Sequence, residues 1–331
     1  MNRPRCDDLD YIQFLIAAQR VFTCTEAARC QPQRPAGPAH DAFTRLLQRQ
    51  PPDTAALWQE VQGMVRLPDG ALVLDDTTLD KPHAHKMGLV TRQWSGRHKQ
   101  VVWGINLLTL LWTDGAARVP CDVRVYDKPW GGETKNEHFR AMLATAAARG
   151  FQPRCVLFDS WYSSLENLKA VRAHGWKWLT RLRANRRVNP EGHGNVRVAT
   201  VDIPPAGRVV HLRGYGFVTV FRTVALDGDA EYWATSALDM LPDERGRWES
   251  WAWGIELYHR GLKQCCGIEK AQVRTERAQR NHLLLALRAF VRLEMHRLQT
   301  GTSWYEAKTE VIRSAIRSYL AQPLYRLPST A

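Results

Sequence analysis

Apolar and polar positions change period several times along the chain, and the changes mark its organisation. Leu9, Ile12, Phe14, Leu15, Val21 and Phe22 recur at helical spacing. A proline-rich break follows from Gln31 to Pro38. Phe43, Leu46 and Leu47 then line one face of a second helix, and Leu57, Val61 and Val65 that of a third, opened by Pro51 and Pro52. From Ala71 the pattern becomes extended. Apolar strands are expected over 71–76, 101–112, 119–126, 154–158 and 176–180, with an amphipathic helix over 133–150 that turns Phe139, Met142 and Leu143 inward and stops at Gly150. A helix over 165–174 precedes the fifth strand. Three short-linked strands, a crossover helix and a parallel strand make a sheet of mixed direction. Residues 184–245 lose helical periodicity and alternate instead, as in Val209–Arg213, Gly216–Phe221 and Glu231–Thr235, which reads as an antiparallel β insertion. Helical spacing returns from Trp248 to Leu298 and again from Trp304 to Leu320.

Composition narrows the function classes. The 331 residues carry 46 Lys+Arg against 33 Asp+Glu, a net charge of +13, and 44% of them are hydrophobic. This is a globular composition, and it excludes a disordered tail, a collagen-like fibre and a disulfide miniprotein. Arginine outnumbers lysine more than threefold; GC-rich codon usage gives such a bias, and so does bidentate phosphate recognition. The basic balance favours a nucleic-acid partner. The longest apolar run, Val101 to Thr113, is too short to span a bilayer, and the first residues hold no apolar signal core. The expectation is a cytoplasmic protein. Seven cysteines, with a vicinal pair at 265 and 266 and no C-x-x-C, argue against a zinc ribbon or a disulfide framework.

The candidate chemistry lies in acidic groups at strand ends. Asp is disfavoured within strands, yet two apolar strands end in it, at Asp75-Asp76 and at Asp159. A third carboxylate, Glu256, sits on the helix after the insertion, with Arg260 and Lys263 on its own face. Three converging carboxylates suit two hard divalent cations, Mg²⁺ or Mn²⁺, clamping the attacking and leaving oxygens of a phosphoryl displacement. Singly, each residue could equally be a strand cap, a helix cap or half of a surface ion pair.

The blocks Val73-Leu-Asp-Asp76-Thr77-Thr, Val156-Leu-Phe-Asp159 and Trp253-Gly-Ile-Glu256-Leu-Tyr-His-Arg260-Gly-Leu-Lys263 resemble those of DDE transposases of bacterial insertion sequences, in particular the IS-four-like group. The resemblance implies an α/β fold: an RNase-H-like mixed sheet flanked by helices, with a helical N-terminal region and a β-rich insertion. It divides the chain into a helical region 1–66, a candidate for DNA binding or a packing cap, a core at 67–183 and 246–300 around the insertion 184–245, and a C-terminal helix in 301–331. It further implies Asp76 rather than Asp75 as the first catalytic residue, with Asp159 and Glu256 completing a set that holds two Mg²⁺ or Mn²⁺ ions. The implied reaction is nicking of element ends and transfer of the 3′-hydroxyl into target DNA by a homodimer in a synaptic complex on nucleoid DNA. Hairpin ends are a further implied step. The family's Tyr and Arg upstream of the glutamate are replaced here by Glu249 and Ala252, with Trp251 and Trp253 beside them.

Arg260, Lys263, Arg181, Arg183, Arg186 and Arg187 are the candidate DNA contacts. Trp161 and Tyr162 read as packing over the sheet edge, with base stacking as the alternative. His83 and His85 read as a solvated pair, and Arg274, Arg277, Arg288 and Arg292 as a DNA channel or a solvated face. A stand-alone nuclease of this fold and a DNA-binding protein derived from an inactive transposase stay open.

Overall fold

The computed structural model describes residues 4–32, 37–49, 51–84, 86–96, 98–127, 132–192, 194–224 and 228–325. His85, and the middle of the break at 31–38, lie outside them. The chain forms two compact units interleaved in sequence. One comprises residues 1–53, 86–88 and 260–331; the other comprises 54–85 and 89–259. No helix among the described residues is long and apolar enough to cross a membrane, and none of the seven cysteines is in a disulfide.

The second unit is built on one mixed sheet. Its strands are β1 (Ala71–Asp80), β2 (Thr91–Ser95), β3 (Gln100–Thr113), β4 (Val119–Val125), β5 (Cys155–Phe158), β6 (Trp178–Leu182), β7 (Arg187–Asn189), β8 (Val196–Arg197), β9 (Arg208–Leu212), β10 (Gly216–Val224) and β11 (Ala230–Thr235). β1 pairs antiparallel with β3 and parallel with β5; β4 pairs with β3, and β5 runs parallel to β6. The order β4-β3-β1-β5-β6 is that of the expected RNase-H-like core. The inner strands are apolar on both faces: Leu72, Leu74, Leu108, Leu111, Val156 and Leu179 are fully buried.

The insertion does not form a separate sheet. β11 pairs antiparallel with β6, and β10, β9, β7 and β8 follow outward in the same sheet. β2 was absent from the sequence reading; its Arg92 and Trp94 are exposed between buried Thr91, Gln93 and Ser95, and so short an alternation sits inside an apparent loop.

Turns and caps fix where the elements start. Gly70, at φ +78°, enters β1 so close to β3 that a Cβ there would lie 2.6 Å from the Thr113 carbonyl. α5 (Lys135–Ala148) starts on a capping box between Thr134 and Glu137, which puts Lys135 at its first position. Phe139, Met142 and Leu143 are fully buried, as expected. α4 (Thr54–Val61) also belongs to this unit, with Trp58 against Phe151 and the Arg149 guanidinium 4.6 Å from the Trp58 ring centre.

The first unit is helical. α1 (Asp8–Ala17), α2 (Cys24–Arg29) and α3 (His40–Arg49) pack with α8 (Glu276–Thr300) and α9 (Trp304–Ala321). Tyr11, Phe14, Phe43 and His282 form its aromatic centre, and the Tyr11 hydroxyl lies 3.1 Å from His282 Nδ1. Lys308 is buried, its ammonium donating to the carbonyls of Ile16, Ala18 and Cys265 at 3.0, 2.6 and 2.9 Å. Helical spacing from Trp248 to Leu298 becomes two helices. α7 spans Pro242–Cys265, and Gly267 at φ +61° turns the chain against the Phe22 ring before α8.

Candidate active site

The two acidic strand ends lie side by side. Leu74 of β1 is registered with Phe158 of β5, and Asp75 and Asp159 are the residues that directly follow this last pair. Asp75 also opposes Thr109 of β3, whose hydroxyl is 3.5 Å from that of Tyr258 on α7. The face of Asp75 is therefore the face that α7 covers. Trp251 anchors the same helix, with its indole seated against Gly115 at the β3–β4 turn. Glu256 follows one turn later.

These three carboxylates share a cleft of about 1020 Å³. Asp75, Asp159 and Glu256 line it together with Arg181, Glu231, Trp233, Arg245 and Glu249. Burial holds the Asp75 carboxyl well above the usual carboxylate range, and the charges of Asp76, Asp159 and Glu256 push it further the same way. Asp159 is also raised, first by burial and then by Asp76, against N–H donation from Trp161. That donation, at 2.6 Å, makes Asp159 the cap of the turn Ser160–Tyr162.

Asp76 points to the opposite face, because successive side chains alternate along a strand. There it accepts from Asn106 at 2.6 Å, from the Lys135 ammonium at 2.7 Å and from the Tyr162 hydroxyl at 2.5 Å. Burial alone would raise its pKa; the Lys135 charge and the three hydrogen bonds outweigh this and hold it below the usual range. Of the expected set Asp76, Asp159 and Glu256, the cleft thus gathers the last two with Asp75. Asp76 is an ion-paired neighbour behind the strand.

The acidic set fits hard divalent cations in its donor chemistry: oxygen ligands only, and an unbalanced negative charge that a cation would relieve. No group of three such side chains among the described residues forms a ready cage; the carboxylates line a common cleft instead of meeting at a point.

The cleft is also lined by a charged aromatic cluster. Arg181 pairs with Glu231 and Arg245 with Glu249, while their guanidiniums lie 5.4 and 5.9 Å from the Trp233 ring centre. Arg245 brings a guanidinium to the glutamate helix, where the family's upstream Arg position holds Ala252. Sequence reading set Asp75 aside in favour of Asp76 and passed over Lys135, Arg245 and Trp233. A signal for Asp75 was present: Ala71-Leu-Val-Leu-Asp75 and Cys155-Val-Leu-Phe-Asp159 are both four apolar residues followed by Asp.

The remaining candidates scatter. Arg183 and Arg187 are exposed and Arg186 is half-buried, which lowers its pKa; none of the three lines the cleft. Arg260 is exposed and Lys263 lies 4.0 Å from Glu269, both in the helical unit. Tyr162 is fully buried and stacked on Phe139, whereas Trp161 is exposed, 5.4 Å from the Lys135 ammonium. His83 is exposed. Arg277 donates to the Gln48 carbonyl and Arg288 pairs with Asp8, whereas Arg274 is exposed and Arg292 bonds the Arg288 carbonyl.

No curated protein sequence matches the chain. Among solved structures, a piggyBac transposase in a synaptic complex with hairpin DNA is similar, with a TM-score of 0.56 and 10% identity, over 100% of this chain and 77% of that one. At this identity the likeness concerns the fold, a mixed α/β sheet flanked by helices. Residues 12–251 match the family described as DDE superfamily endonuclease, a stretch that holds both acidic strand ends and stops short of Glu256. The chain belongs to the DDE superfamily endonucleases.

Proposed function

We propose that the protein is a transposase of a bacterial insertion sequence that cuts and joins DNA by metal-dependent phosphoryl transfer. The observation that carries this reading is the single cleft lined by Asp75, Asp159 and Glu256 and faced by Arg181 and Arg245. The family's endonuclease description, the transposase-like fold and the charge of +13 support it.

In this reading Asp75, Asp159 and Glu256 would hold two Mg²⁺ or Mn²⁺ ions, and Asp76 supports the strand from behind through Lys135. When bound, such a pair supplies Lewis-acid stabilisation of the attacking and leaving oxygens. Arg181 and Arg245, which line the same cleft, draw the scissile strand to the carboxylates. Water adds to phosphorus as the bond to the 3′ oxygen breaks, giving a 5′-phosphate and a free 3′-hydroxyl. That hydroxyl then attacks a phosphodiester of the target, expelling its 3′ oxygen. Arg183, Arg186, Arg187, Arg260 and Lys263 add phosphate contacts outside the cleft, so affinity falls steeply with salt. The partner is double-stranded DNA, bound by a homodimer on nucleoid DNA in the cytoplasm.

The test is cleavage and strand transfer on the flanking terminal-repeat DNA with Mg²⁺ or Mn²⁺, comparing wild type with Glu256→Gln and Asp75→Asn. Metal-dependent products lost in both variants, with DNA binding retained, support the reading. Cleavage without joining makes the protein a nuclease. Binding without cleavage in wild type makes it a DNA-binding derivative of a transposase. Undiminished activity in Glu256→Gln overturns the site.

A further inference from the structure

The face of the sheet that carries Asp75 continues beyond the cleft. β1 ends at Asp80, opposite Gly104, so Gln100–Trp103 of β3 run on with β2 as a two-stranded ribbon. The register of β1 with β3 is unbroken from the Asp75–Thr109 pair to this point, and side chains alternate along a strand, so Val101 and Trp103 lie on the Asp75 face. Trp94 and Arg92 of β2 stand directly opposite them and share that face. Trp94, Val101 and Trp103 are 64%, 57% and 38% exposed, and Arg92 is exposed as well. Two indoles, diagonal neighbours across the ribbon, and a guanidinium thus form an open platform on the side of the sheet that holds the carboxylate. Six residues of β3 separate Trp103 from Thr109, a rise of ~20 Å at ~3.4 Å per residue.

The charge around this platform has one sign. Residues 81–113 contain five Lys and Arg and no Asp or Glu. Lys99 is exposed at the tip of the ribbon, and Asp80, the acid at the end of β1, is held by His98 Nε2 at 2.8 Å. A flat face of indoles edged by cations matches a polyanion that presents aromatic faces. Unpaired nucleotides are such a polyanion: each offers a base to an indole and a phosphate to a cation. A duplex hides those faces in its own stack and leaves a surface of this kind only its phosphates. A second copy would bring the same cations against these.

We propose that the ribbon is a binding site for single-stranded DNA, with bases stacked on Trp94 and Trp103 and phosphates held by Arg92 and Lys99. The strand it takes is one parted from its complement beside the cut, because the platform and Asp75 share one face of the sheet. This placement rests on the phosphoryl-transfer reading. The stacking does not, and it is measured without metal or cleavage.

The experiment is fluorescence anisotropy of a labelled oligothymidylate with the full chain in EDTA, with circular dichroism to confirm folding. Trp94→Ala is expected to weaken binding about tenfold, within the range for one lost base–indole stack, and Trp94→Phe to restore most of the affinity. Binding to a duplex and to an abasic strand of equal length is expected to stay unchanged, since neither offers an accessible base face. Undiminished oligothymidylate binding by Trp94→Ala overturns the proposal. So do equal losses on all three ligands, which would make the ribbon a phosphate surface, and a Trp94→Ala change in the sedimentation of the DNA-free protein without a loss of oligothymidylate binding, which would make it an interface between copies. The placement has its own arm. Terminal-repeat DNA unpaired beside the cut should bind wild type more tightly than fully paired DNA, and Trp94→Ala should erase that gain; a gain that survives overturns the placement. A wild type that stacks the strand but cuts nothing supports the platform and fails the catalytic reading, so the two results are separable.

Discussion

Asp75 and Asp159 each directly follow the last registered pair, Leu74 and Phe158, of two parallel neighbouring strands. Both carboxyls are raised by burial, and Asp75 is raised further by three acidic neighbours. Asp75→Asn should therefore abolish metal-dependent cleavage while stabilising the apo protein. The sign follows from linkage. A carboxyl whose native pKa lies above its ordinary 3.8 contributes stability below that value and loses it as pH rises through the native value. The thermal midpoint of Asp75→Asn should exceed that of wild type at pH 7, and the difference should vanish below pH 3.8.

The same crowding predicts a metal-dependent midpoint. Mg²⁺ added to the wild-type protein should raise its melting temperature, since a ligand at a hundred times its dissociation constant stabilises by about 2.7 kcal/mol. Asp75→Asn and Glu256→Gln should lose most of that shift in calorimetry, and Asp76→Asn should keep it.

Asp76 and Lys135 form a nearly enclosed ion pair, with side chains 19% and 17% exposed. Lys135→Met should cost about 3 kcal/mol in chemical denaturation, because it leaves a buried carboxylate with Tyr162 and Asn106 alone. Adding Asp76→Asn should restore part of this loss. Additive losses in the double-mutant cycle would sink the pairing.

Lys308 satisfies three carbonyls at once in the helical unit. Lys308→Met preserves most of the volume but strands those oxygens, so about 2–4 kcal/mol of stability should disappear from this unit. Hydrogen exchange should show the loss in α1, α8 and α9.

His138 is buried at the start of α5, and burial lowers its pKa despite Glu133 3.1 Å away. A histidine kept neutral when folded takes up its proton only on unfolding. Stability should therefore fall as pH drops below 6.5, the ordinary value, towards the lower native one. His138→Gln should flatten this slope by a few degrees of melting temperature across that window.

Much of this architecture was legible in the residues. The β1, β3, β4 and β5 runs are continuous and apolar, because both faces of a central sheet are covered. β2 escaped because its alternation spans five residues. The break between α7 and α8 and the early start of α7 were not read from the sequence, although Gly267 stands at the break and Pro242, a residue suited to the first helical position, at the start. The carboxylates of the candidate site were legible as a group, but not which of Asp75 and Asp76 lines the cleft. Choosing between Asp75 and Asp76 needs the register of β1 with β5, and register is a long-range property that neighbouring residues do not encode. Likewise Arg245, ten residues after the insertion's last strand, reaches the cleft only through the direction of α7.

The continuity of the sheet across the insertion has a consequence for synthesis. β6 ends at Leu182, and its outer partner β11 is complete only at Thr235. Until those residues leave the ribosome, the outer edge of Trp178–Leu182 presents bare donors and acceptors, a template for any other strand. At ~5–20 residues per second this exposure lasts roughly 3 to 10 seconds. The nascent chain is then most vulnerable to aggregation, and a chaperone that shields strand edges should raise its yield more than one acting after release.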